Sequence, residues 1–360
     1  MRGDPTRARR LREHGGFLAV LACMVLMPRP GLAAAAPHEQ TNTMTRTHIT
    51  KESFHGWPNT YRLSNGLIET RVVTDVGPRI MDVRLPGGPN LLYLRQSEAG
   101  GGGEPQWVQR GGWRLWVAPE RRETTYVPDN VPCVVEQLGG STLRVTGAVE
   151  PASGIRKQIE VALDETQPRV RLTSRIRNVS DHPLTYAAWS LPVLRPGGRA
   201  FVPLDIGPLT AFDAIRRLIL WSYTEIDDPR YRFGNRLVQV DHTRIGPAAA
   251  PRPGRGDDES KIGVDSSQGW AAYLLDGVLF LKRFPHVAAG AYPDGGATIE
   301  VYSSHEFLEL ENLGPLTTIG PGDEIVLRED WWLFAGVTVP EAEADALAVL
   351  QAHVGRTALP

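Results

Sequence analysis

With 360 residues, 41% of them hydrophobic and 22% charged, the chain has a globular composition and is long enough to bury a substantial core. A formal net charge of -2, with no basic run beyond the extreme N-terminus, argues against nucleic acid or another polyphosphate as partner.

The first element in chain order is an export signal. Arg7, Arg9, Arg10 and Arg12 form a positive region, Phe17 to Met27 an apolar run, and Ala33 to Ala36 a small-residue stretch. That order is the signature of a cleavable secretory signal, here assigned to residues 1–36. The Arg9-Arg10 pair leaves a twin-arginine route open beside the general one. The apolar run falls short of the ~20 residues a membrane span needs. The mature chain is therefore expected to be periplasmic or secreted, without an integral membrane segment. Residues 37–53 read as a polar tether and residues 54–360 as one domain. Once Cys23 leaves with the signal, Cys133 is the remaining cysteine, which precludes an internal disulfide or a thiolate zinc site. Flanked by Val131, Val134 and Val135, Cys133 reads as a buried strand residue.

Strand signals begin at Tyr61, where Asn65-Gly66 separates two strand-like runs in the manner of a hairpin. Gly100 to Gly103 is flexible by composition. From Val161 to Arg177 the pattern has period two: Val170, Leu172, Ser174 and Ile176 share one face, and Arg169, Arg171, Thr173 and Arg175 the other. One buried and one solvated face is what antiparallel sheets supply. Further strands are expected at Leu237–His242, Gly269–Leu275, Val278–Lys282, Ala297–Ser303, Phe307–Leu310 and Ile325–Trp331. Ala211 to Leu220 is ambiguous between helix and loop, and Pro247 to Glu259 reads as a loop. Glu341 to Val354 is the clearest helix: Ala342, Ala346, Leu347, Leu350 and Val354 form a stripe behind Pro340. Many strands with one terminal helix predict an all-β fold, a large antiparallel β-sandwich with a short C-terminal helix.

Several side chains are candidates for chemistry. Trp107, Trp113 and Trp116, interleaved with Arg110, Arg114 and Glu120, read as a cleft loop, since aromatic faces stack on the apolar face of a pyranose. The alternative is core packing, which suits Trp331 and Trp332 better. Glu309 and Glu311, two apart in a strand, share one face. Paired carboxylates there can divide acid and base roles, or can be two solvated groups opposite Leu308 and Leu310. His305 and His286 are the nearby titratable acids, His305 in the turn before the strand. Arg79, behind Gly77-Pro78, has the fork geometry to grip sugar hydroxyls or a carboxylate. His305, Glu306 and Asp294 match no metal-ligand spacing, so neither a metal nor a cofactor is expected.

Val76-Gly77-Pro78-Arg79-Ile80-Met81, Arg177-Asn178-Val179-Ser180-Asp181 before Trp189-Ser190-Leu191-Pro192-Val193, and Tyr292-Pro293-Asp294-Gly295-Gly296 occur in order along the chain. The block Phe307-Leu308-Glu309-Leu310-Glu311-Asn312-Leu313-Gly314-Pro315 follows, then Pro321-Gly322-Asp323-Glu324. Together they resemble an uncharacterised bacterial family within the galactose mutarotase-like, or aldose 1-epimerase-like, group, over roughly residues 55 to 335. The resemblance implies a supersandwich with a concave sugar-binding face. It also implies an arginine in the cleft at Arg79, a catalytic carboxylate within Glu309–Glu311, and a mono- or oligosaccharide as partner. Mutarotases carry a histidine where Ala188-Trp189-Ser190 stands here, and an indole supplies no proton at neutral pH. The expectation is an exported carbohydrate-active protein whose cleft is lined by Arg79, Arg110, Trp113, Trp116, Trp189 and Glu309. Glu311 and His305 complete the acid–base set of an isomerase. Binding without turnover, or a lyase- or hydrolase-related activity, are the alternatives.

Overall fold

A computed structural model describes residues 47–207, 210, 212, 214–246, 256 and 258–360. The expected signal, most of the tether and most of the 247–259 loop lie outside these residues. Among the described residues the strands form two sheets. The first follows chain order through β1 (His48–Phe54), β2 (Trp57–Ser64), β3 (Glu69–Val73), β4 (Arg79–Arg84) and β5 (Trp113–Ala118). It continues through β10 (Leu184–Leu194), β19 (Leu308–Leu313), β18 (Ile299–Ser303) and β15 (Ser260–Val264) to β12 (Leu218–Leu220). A short β20 (Thr317–Ile319) also pairs with β10.

The second sheet begins with β13 (Tyr231–Phe233), β14 (Leu237–Asp241), β11 (Arg199–Pro203), β16 (Trp270–Leu275) and β17 (Val278–Arg283). It ends with β21 (Glu324–Ala335), β9 (Arg169–Asn178), β8 (Ile155–Leu163), β7 (Thr142–Glu150) and β6 (Val134–Leu138). Neighbouring strands pair antiparallel throughout both sheets. The all-β antiparallel sandwich expected from the alternation is the fold. Strand β1 starts at His48, so the stretch from there to residue 53 is paired strand, not tether.

The local signals translate directly. Ser64 pairs with Glu69 across the Asn65-Gly66 turn, and the Asn65 side-chain oxygen accepts from the Leu67 and Ile68 amides at 2.8 Å each. That bonding replaces the backbone partners the turn removes. In β9, Val170, Leu172, Ser174, Ile176 and Asn178 are buried while Arg171 and Arg177 are exposed. The buried set meets the first sheet's inner residues, including Ile80, Trp113, Leu115, Leu308 and Leu310, in one core. The second sheet's outer face is covered by α2 (Glu343–Val354), whose Ala346, Leu347 and Leu350 pack on Leu281 and Trp332. Two adjacent residues, Trp331 and Trp332, thus serve opposite faces of β21. Cys133 immediately precedes β6 and is half-buried, and burial pushes its thiol up to about 12.

A polar bridge crosses the core. Trp113 Nε1 donates to Ser190 Oγ at 2.7 Å, and Ser190 Oγ donates to Glu329 Oε1 at 2.8 Å. Trp331 Nε1 donates to the same oxygen at 2.9 Å. Lys282 Nζ donates to the Leu310 carbonyl at 3.1 Å and lies 3.7 Å from Glu329 Oε2. Both charged side chains are fully buried. Burial lowers the Lys282 ammonium to about 8, against the pull of Glu329. Lys282→Met is expected to lose about 3 kcal/mol in urea unfolding, because it strands Glu329. Lys282→Met with Glu329→Gln should recover most of that loss. Equal stability of the single and double variants would show the pair to be uncoupled.

Candidate functional site

The site lies on the first sheet's outer face, opposite the core, because strand alternation sends successive side chains to opposite sides. On β5, Trp113, Leu115 and Val117 point into the core, while Arg114 and Trp116 line a cavity of about 280 Å³. On β10, Trp189 and Leu191 line it; on β18 Tyr302, on β15 Lys261, and on β19 Glu309. Register places Trp189 beside Trp116, and Glu309 beside Tyr302. Loops close the walls with Trp107, Gln109, Glu120 and Tyr126 on one side, and Tyr223 and Glu259 on the other.

Four rings form a continuous aromatic wall. Trp116 lies 5.1 Å from Trp107, 4.8 Å from Tyr126 and 5.5 Å from Trp189, centroid to centroid. Trp107 and Tyr126 meet edge to face at 5.4 Å. The Arg114 guanidinium lies 4.0 Å over Trp116, a cation–π contact, and donates to Glu309 Oε1 at 3.0 Å. Gln109 Nε2 reaches the same oxygen at 3.3 Å. Both donors converge on Oε1 of Glu309.

On the same face of the sheet sits a buried ionic triad. Glu300 and Glu311 face each other across β18 and β19. Lys261 Nζ lies 2.6 Å from Glu300 Oε2 and 3.1 Å from Glu311 Oε2, while Trp189 Nε1 donates to Glu311 at 2.7 Å. Burial raises both carboxyls, each further raised by a neighbouring carboxylate. Burial also opposes the Lys261 ammonium, but Glu300 and Glu311 outweigh it and hold the group well above the ordinary lysine range. The same ammonium lies 4.6 Å from the Trp189 ring and 4.8 Å from that of Trp221.

Glu309, Trp116 and Trp189, singled out from sequence, thus line one cavity, and Glu311 is bonded to two residues that line it, Trp189 and Lys261. The other expected residues lie elsewhere. Trp113 belongs to the core, because residues 113–118 form a strand rather than a loop and positions three apart face opposite ways. Arg79 is fully buried, its Nε and Nη2 forking onto Asp129 at 2.9 and 2.8 Å. Gly77, at φ +113, makes that placement possible: a Cβ there would lie 2.4 Å from the Arg79 amide. Arg110 is likewise buried, bonded to Asn130 at 2.7 Å and to Glu104. Both arginines brace the 104–130 segment that carries Trp107, Gln109, Glu120 and Tyr126, without lining the cavity themselves. His305 is exposed, its turn projecting past the end of β18 with the backbone amide bonded to Asp258. His286 stacks on Tyr292 outside the cavity.

Sequence reasoning missed Lys261, Glu300, Gln109, Tyr126 and Tyr302. The available signal was a lone charge inside an apolar strand, as in Ser260-Lys261-Ile262-Gly263-Val264 and Ile299-Glu300-Val301. Among the described residues, no group of three His, Cys, Asp or Glu side chains is arranged to hold a metal ion. No helix among them is long and apolar enough to cross a membrane.

No protein-family model matches the chain, and no curated protein matches its sequence. Solved structures match its fold. Slr1438 from Synechocystis sp. PCC 6803 superposes with a TM-score of 0.50 at 14% identity, covering 79% of this chain and 99% of that one. A TPR-domain containing protein from Parabacteroides distasonis ATCC 8503 gives 0.50 at 13% identity, over 84% of this chain and 55% of that one. A galactose mutarotase-like protein from Lactobacillus casei ATCC 334 gives 0.49 at 10% identity, over 77% of this chain and all of that one. At the identities of the first two, the likeness is one of fold alone.

Proposed function

We propose that the cavity on the first sheet binds a saccharide. The observation that carries this reading is the wall of Trp107, Trp116, Tyr126 and Trp189 beside a carboxylate held by Arg114 and Gln109. A pyranose presents an apolar C–H face and a rim of hydroxyls. The rings accept the first, and Glu309 Oε2 and the surrounding polar side chains accept the second. Binding without turnover suits the geometry best. The Glu309 carboxylate is engaged by a guanidinium, and neither His286 nor His305 reaches the cavity. Epimerase-like action is the second reading, supported by Glu309 and Glu311 on one face of β19 with Glu311 pushed upward. On the N-terminal signal pattern the protein works outside the cytoplasm, in the periplasm or beyond.

Titration of tryptophan fluorescence with neutral mono- and disaccharides is expected to show saturable quenching. Trp107→Ala, a loop substitution outside the strand ladders, should lose about 1–2 kcal/mol of binding, roughly five- to thirtyfold. Unchanged affinity in that variant would remove the aromatic wall from recognition. Polarimetry on freshly dissolved α-anomers separates the two readings: faster mutarotation with the protein present supports turnover, and an unchanged rate rejects it.

A further inference from the structure

The first cavity does not stand alone on its face of the sheet. A second, of about 790 Å³, adjoins it and shares three walls, Trp107, Glu120 and Tyr126. Its remaining sides include Arg121, Arg122, Trp221 and Asp294. Lys261 ties the two together, its ammonium touching the Trp189 ring of the first and the Trp221 ring of the second. The dividing wall is fixed, since the Tyr126 hydroxyl donates to the Glu120 carboxylate and Trp107 packs edge-on against Tyr126.

Size and charge both bear on the occupant. Ligand pockets run from ~300 to 1,000 Å³, so the first cavity sits at the small end and suits one ring. The second is almost three times larger and offers another indole for stacking. Its charged lining balances, Arg121 and Arg122 against Glu120 and Asp294. In the first, Arg114 and Lys261 are both committed to carboxylates. Glu120, Glu259 and Glu309 outnumber these two cations in the lining, which disfavours a polyuronate in the first cavity.

Resting on the saccharide reading, we propose that the ligand is a neutral oligosaccharide of at least two pyranose units, one in each compartment, with Trp221 and Arg122 forming the second subsite. Trp221 stacks the second ring, and Arg122, exposed at the start of the short helix α1 (Arg122–Thr125), donates to its hydroxyls.

The test is calorimetric titration with neutral gluco-, manno-, galacto- and xylo-oligosaccharides of one to four units, alongside oligogalacturonates of matching length. Affinity in the recognised series is expected to rise at least tenfold from one unit to two or three. Trp221→Ala should abolish that increment. Arg122→Ala, a surface change that leaves folding intact, should reduce it several-fold while monosaccharide affinity stays the same. Equal affinity for one unit and for longer chains would overturn the two-compartment proposal and leave the saccharide reading standing. Preference for the galacturonates would overturn its neutral character. Failure of every sugar to bind would remove the saccharide reading itself.

Discussion

Lys261→Met is expected to destabilise the protein by about 3–5 kcal/mol, the range for removing one member of a buried ionic group. Glu300 is fully buried and Glu311 nearly so, and they face each other across a strand pair. Without the ammonium they must take up protons or repel. Adding Glu300→Gln and Glu311→Gln to the lysine variant should restore most of the loss, since neutral amides need no counter-charge. The pH dependence has a defined sign. The raised carboxyls hold a proton in the fold that the unfolded chain releases, so stability falls as pH rises above the ordinary carboxylate range. Lys261 adds stability that is present at and below the ordinary lysine range and lost above its raised value. Glu300→Gln alone should flatten the first of these declines. Urea unfolding between pH 5 and pH 9 measures the carboxyl decline, and a lysine variant as stable as the wild type would sink the triad as described.

Arg79→Ala is the second large effect, expected to cost about 3 kcal/mol and also to weaken saccharide binding, although Arg79 touches no part of the cavity. Its guanidinium forks onto Asp129, within the segment that carries the cavity's aromatic wall. Burial opposes the Asp129 carboxylate, but Arg79 outweighs it and holds the group below the usual range. The stability this provides is present above the ordinary aspartate range and disappears as pH falls through the depressed value. The gap between wild type and variant should therefore be widest near neutrality and close in acid. Arg79→Lys, which keeps the charge and loses the fork, should fall between the two. A variant that binds sugar normally despite its lower stability would confine Arg79 to a structural role.

How much of this could be read from sequence depended on the range of the signal. The period-two pattern of β9, the Asn65-Gly66 turn and the apolar stripe of α2 are local, and they gave the all-β fold with its terminal helix. The shared face of Glu309 and Glu311 was legible for the same reason, because strand geometry alone dictates it. The burial of Arg79 and Arg110 is not legible locally, because their partners Asp129 and Asn130 lie 50 and 20 residues away. A buried ion pair and a ligand-gripping arginine look alike in one dimension. The glycines before Trp113 suggest a loop, but pairing with β10 makes it strand. Lys261 and Glu300 acquire meaning through register with Tyr302 and Glu311, which no single segment reveals.

Strand β19 supplies Leu308 and Leu310 to the core and Glu309 and Glu311 to the other side. Such a ribbon can tolerate exchanges of residue type but not a change of frame. One inserted or deleted residue would turn the carboxylates inward and the leucines outward in a single step. Variation in length should therefore accumulate in the segments between strands, and the cavity's chemistry should diversify there first.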